Sequence, residues 1–126
     1  MSSDDLTWLL DDFRRQVADA RGITLFSADG LPTAFSGMAE EEADALAALG
    51  ASISSAATGA STATGSGAVR HALIESDEAY LLLHQAAERT GLLVVVTVTA
   101  DLELTASAVE QLLARVGAHL ATPVRR

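Results

Sequence analysis

The chain has no cysteine and no lysine, and only two prolines among its 126 residues. Without cysteine there are no disulfides, no thiolate catalysis and no cysteine-based metal sites. Without lysine, all cationic charge comes from eight arginines set against 17 acidic residues, a net charge of −9. That balance argues against a phosphate-binding surface, which needs clustered cations, and so against nucleic acid. It argues equally against docking on an anionic membrane, and it favours a partner with a basic patch. A long hydrophobic run is missing too: Leu92 to Val96, continuing through Val98, is far too short to span a bilayer. The opening MSSDDLTWLL lacks the basic n-region of a signal peptide. These absences place the chain in the cytoplasm, with no membrane insertion.

What is present is apolar. Hydrophobic residues make up 49% of the chain, enough for a packed globule. Its length suits one domain over residues 1–126, burying about two-thirds of the unfolded surface. The organising stretch is Glu40 to Ser66, EEEADALAALGASISSAATGASTATGS. Three carboxylates at its start suit the positive end of a helix macrodipole. Leu46, Leu49, Ile53, Ala57 and Ala60 follow at three- and four-residue spacing, on one helical face. If all of it is helical it is about 37 Å long, whereas a six- or seven-residue strand covers only about 20–23 Å. Such a helix overhangs any sheet the chain can build, and something else must cover the overhang. Gly50 and Gly59 each cost about 1 kcal/mol inside a helix, which a chain tolerates where another backbone comes close. One reading is therefore a helix packed on a copy of itself. The other ends the helix near Gly59 and leaves Ala60 to Gly67 as a flexible loop.

Around this stretch the remaining elements follow in order. Ser3, Asp4 and Asp5 offer N-caps for a helix from Leu6 to Ala18, with Leu6, Leu9, Leu10, Phe13 and Val17 as its buried stripe. Trp8 lies off the centre of that stripe, as a core-edge residue. Arg21-Gly22 breaks the helix, Ile23 to Ala28 reads as a strand, Asp29-Gly30 as a two-residue turn, and Leu31 to Ser36 as a returning strand. Pro32 cannot donate to a ladder, which puts that strand at a sheet edge. Three more strands follow, Ala68 to Glu75, Ala79 to Ala86 and Leu92 to Thr99, with turns at Ser76–Glu78 and Ala87–Gly91. The last is apolar throughout its first half, as expected of a central strand covered on both faces. Asp101 caps a final helix to Leu120, and Pro123 prevents its continuation. The order α-β-β-α-β-β-β-α with short turns is met most economically by an α+β fold: one antiparallel five-stranded sheet with helices on its faces.

No catalytic constellation emerges. His71, His84 and His119 lie far apart in sequence and share no metal-ligand spacing, so each reads as structural. Gly65-Ser66-Gly67 lacks the Lys-Ser/Thr of a phosphate loop and precedes a strand, so it reads as a linker. Glu40 to Glu42 is explained by helix-start charge. Arg70, in a strand and pointing away from the His71 face, can meet a carboxylate or reach a partner. The default is a binding role without cofactor or metal.

With these elements placed, the chain resembles the roadblock (dynein light chain) family, and most nearly its actinobacterial conservon type. The resemblance is carried by LTWLLDDF near the start, ITLFSADGLPTAFS in the first hairpin, GAVRHALIE after the long helix and DLELTASAVEQLLARVGAHLATPVRR at the end. It implies a strand order of 2-1-5-4-3, with the long helix on one sheet face and the terminal helices on the other. It also implies a homodimer formed by the long helix and the edge strand after it, through Leu49, Ile53, Ala57, Ala60, Val69, His71 and Leu73. The implied function is a non-catalytic scaffold that binds a small Ras-like GTPase, in a complex with a sensor-kinase-like protein. Two alternatives stand beside it: a small-molecule-sensing domain of similar layout, which needs a concave pocket, and a passive dimeric scaffold for the kinase-like partner.

Overall fold

The computed structural model describes the backbone of residues 3–121 and the side chains of residues 5–121. Its elements are α1 (Ser3–Gln16), β1 (Ala20–Ser27), β2 (Pro32–Ser36), α2 (Glu40–Ala63), β3 (His71–Glu75), β4 (Ala79–Ala87), β5 (Thr90–Thr97) and α3 (Leu102–Ala121). The capping expected of Ser3 and Asp4 rests on side chains outside the described residues, as does the stop at Pro123. Asp5 lies inside α1.

The five strands form one antiparallel sheet in the order β2-β1-β5-β4-β3. The apolar run from Leu92 to Val96 is the central strand, as its composition requires, and Pro32 sits at one edge. One face packs on α1 and α3, where Leu10, Phe13, Val109, Leu112 and Val116 meet Ile23, Leu25, Val94 and Val96. The other face carries α2, whose Ala47 packs with Phe26, Leu83 and Leu93. No helix among the described residues is long and apolar enough to cross a membrane.

Four local expectations are corrected. Arg21-Gly22 does not break a helix: α1 ends at Gln16, and both residues lie in β1 beside a bulge between Ala20 and Gly22. The first hairpin is not a two-residue Asp-Gly turn. Gly30 N–H donates to the Ser27 carbonyl, Ser27 N–H to the Leu31 carbonyl, both at 2.9 Å, and Gly30 alone takes positive φ. A turn followed by a left-handed glycine accommodates the twist of the flanking strands. The two-residue turn is Glu88-Arg89, where Ala87 pairs with Thr90 and Arg89 adopts φ of 61°. Finally, β3 starts at His71 rather than Ala68, because its ladder with β4 begins at the pair His71–His84.

The long helix continues through Gly59 to Ala63, so Ala60 to Ala63 is helix rather than loop. Its 24 residues extend about 36 Å. It then closes with a Schellman motif: Ser66 N–H donates to the Ser61 carbonyl at 2.9 Å, Gly65 N–H to that of Thr62 at 3.1 Å, and Gly65 takes positive φ. Gly65 is thus a helix terminator. Asp101 caps α3 as expected, accepting from the N–H groups of Glu103 and Leu104, both at 3.1 Å.

Candidate functional site

The long helix has two apolar seams. The one buried against the sheet consists of its smallest residues, Ala43, Ala47 and Gly50. Small size lets the helix sit low on the sheet, and a Cβ at Gly50 would lie 2.8 Å from the Phe26 ring. The close approach expected at this glycine is therefore made by an aromatic ring of the same chain. A quarter-turn round the helix runs the stripe of larger residues. Leu46, Ile53 and Ala57 are half-buried, Ala60 is exposed, and Leu49 is 56% exposed.

The helix packs chiefly on β1, β2 and β5, reaches β4 at its buried Leu83, and leaves the β3 side of the sheet more exposed. β3 is the outer strand, so one row of its N–H and C=O groups has no ladder partner among the described residues. Such an edge is a template for another strand. Its apolar side chains are uncovered as well, Leu73 at 47% exposure and Ile74 at 37%.

Strand alternation divides the expected interface residues. Ala72 pairs with Leu83 and Ile74 with Leu81, residues that pack on the α2 side. Leu73 pairs with Leu82, which belongs to the α1–α3 side, and His71 pairs with His84 on that same face. Leu49, Ile53 and Ala57 therefore share a face with Ala72 and Ile74, while His71 and Leu73 border the edge from below. Val69 precedes the strand and lines a groove with Ala57, Thr58 and Leu83. Ala72 and Ile74 were absent from the expected set. The signal that finds them is the parity of the edge strand once α2 is assigned to one face.

On the lower face the rings of His71 and His84 lie 5.4 Å apart, tilted by 33°. Burial pushes the His84 pKa down, the neighbouring His71 adds to this, and Glu110 of α3 opposes both. Arg70 is exposed beside the α2 groove. Among the described residues no group of three or more histidines and carboxylates within the chain is placed to hold a metal ion.

Two further features lie elsewhere. Trp8, expected at the core edge, is 54% exposed on α1, its ring flanked by the guanidinium groups of Arg115 at 5.5 Å and Arg15 at 6.0 Å. Asp12 accepts from Arg115 at 3.0 Å, and that hydrogen bond holds its carboxyl below the ordinary carboxylate pKa. Between α2 and the β4–β5 turn runs a surface cleft of about 340 Å³, lined by Phe26, Ser54, Thr58, Gln85 and Arg89.

A five-stranded antiparallel sheet, an overlong helix on one face and an open edge strand next to it define a class of small α+β domains. The profile of the family described as the Roadblock/LC7 domain matches residues 6–97, and the chain belongs to that family. Among solved structures, a Roadblock/LC7 domain from Streptomyces avermitilis is 28% identical, with 92% of this chain and 98% of that one covered at a TM-score of 0.88. MglB of Myxococcus xanthus shares the fold at 17% identity, covering 98% of this chain and 93% of that one, with a TM-score of 0.88. A structure described as MglB with tetrameric arrangement matches at 21% identity over 93% and 90% of the two chains, with a TM-score of 0.80. No curated protein matches the chain.

Proposed function

We propose that this chain is a non-catalytic regulatory scaffold of the conservon type. It homodimerises through the α2 stripe and the β3 edge, and binds a small Ras-like GTPase within a sensor-kinase-associated complex. The observation that carries this reading is the coincidence of Leu49 and Ile74, both exposed and on one face, with an unpaired strand edge. Two copies related by a two-fold axis would satisfy the edge hydrogen bonds and cover the stripe in one step. The structure described as MglB with tetrameric arrangement supports self-association in a protein of this fold. The absence of a catalytic constellation in the sequence supports a role by contact.

The GTPase arm is tested by capture from native lysate in the presence of a GTP analogue or GDP. A recovered Ras-like GTPase is then purified and titrated against this chain. Binding that depends on the nucleotide supports regulation and names the recognised state. Recovery of the kinase-like partner alone sinks the GTPase reading and leaves a passive dimeric scaffold. Saturable binding of a small molecule in the cleft of about 340 Å³ beside α2 would favour the ligand-sensor alternative instead.

A further inference from the structure

The geometry points to a divalent transition-metal site, for zinc first, formed by His71 and His84 of one protomer and completed by Glu75 of a second copy of this chain. The inference rests on the β3-mediated dimer proposed above.

The two histidines are cross-strand partners with ring centroids 5.4 Å apart on one face of the sheet. Two imidazoles bound to one tetrahedral zinc, with Zn–N near 2.0–2.1 Å, hold their centroids roughly 5 Å apart. The observed centroid separation of 5.4 Å is close to that value. Within one chain the set stops at two ligands, and no third histidine or carboxylate completes it among the described residues.

Symmetry supplies the third. A two-fold axis perpendicular to an antiparallel strand pair must place one residue opposite its own copy. β3 has five residues, so all of them pair only when Leu73, the middle one, faces itself. His71 then stands opposite Glu75 of the second copy. Directly opposed residues point to the same face, with Cβ atoms about 4.5–5.5 Å apart. A row of His84, His71 and the second copy's Glu75 forms across three adjacent strands, and the symmetry makes two such rows. Two imidazoles and a carboxylate suit zinc, nickel or copper better than magnesium or calcium.

The test uses the full chain without any polyhistidine tag. The dimer dissociation constant is measured by sedimentation with zinc chloride and with EDTA, and bound zinc is counted by calorimetry. One zinc per protomer and a dimer at least tenfold tighter in zinc are expected, with magnesium inert. Glu75→Gln and the double variant His71→Asn with His84→Gln each lose the zinc effect. Mixing these two variants restores it, because the heterodimer rebuilds one complete site from residues of both chains. A dimer indifferent to zinc overturns the site and leaves the dimer standing. Zinc binding that survives Glu75→Gln, or that occurs without dimerisation, overturns the shared ligand. A chain that stays monomeric throughout overturns the dimer and the site together.

Discussion

Phe26 is held between two glycines on different elements. A Cβ at Gly50 of α2 would lie 2.8 Å from its ring, and one at Gly91 of β5 would lie 2.3 Å away. Helix propensity alone says that Gly50→Ala stabilises by about 1 kcal/mol. Overpacking a filled core costs about 1–3 kcal/mol and wins here, so urea unfolding is expected to show a net loss. Gly59→Ala is the control, since among the described residues nothing lies within 4 Å of that site. It is expected to gain about 0.5–1 kcal/mol. Arg89 offers the opposite case. Its φ of 61° costs a non-glycine residue about 1–2 kcal/mol, and its ion pair with Asp29 is exposed and worth little. Arg89→Gly is expected to raise stability by about 0.5 kcal/mol after glycine's greater unfolded-state freedom is subtracted. Arg89→Ala keeps the strained φ and brings no gain.

At the scale of elements, the β3–β4 ladder carries a pH dependence. His84 titrates below its ordinary value of 6.5 in the folded chain, through burial first and His71 second. As pH falls, the unfolded chain takes up that proton before the folded one does. The contribution is therefore complete above roughly pH 6.5 and declines as pH drops below it. Thermal unfolding between pH 8 and 5.5, in EDTA, is expected to show a loss that His84→Gln flattens. An identical slope in the variant would remove His84 as the cause. Elements were also what the sequence displayed best. Pro32 marked an edge strand, Leu92 to Val96 the central one, and Asp101 the start of α3. Turns were legible less well, because Asp29-Gly30 and Glu88-Arg89 differ in loop length through strand twist and register, which composition does not encode. The long helix was legible in its start, while its end stayed open between a stop near Gly59 and a continuation past it, and its orientation was not legible. Its larger residues, Leu46, Leu49 and Ile53, drew attention as the apolar face, while the buried seam is Ala43, Ala47 and Gly50. The pairing of His71 with His84 is a property of register alone, and nothing in their separation along the chain announces it.

For the whole molecule, the consequence of the proposed dimer is measurable without knowing any partner. A guanidinium placed in a desolvated interface without a counter-charge costs about 3–5 kcal/mol. Leu49→Arg combined with Ile74→Arg is therefore expected to weaken self-association at least a hundredfold, seen as a monomer by sedimentation. Both positions are exposed in the isolated chain, so the far-UV spectrum should stay unchanged. A dimer that persists in this variant would place the contact elsewhere.

The two borders of the sheet differ, and that difference sets a limit on growth. β2 starts at Pro32, which has no N–H to offer, and its flank is tied to α1, where Arg14 donates to Ser36 at 3.3 Å. β3 has neither device. A subunit with adhesive borders on both sides can add copies without end, as fibrils do. One with a single adhesive border is used up after one union, because the act of pairing consumes the only available valence. In the dimer proposed above, pairing through β3 would therefore leave no second border of the same kind through which a further copy could extend the sheet.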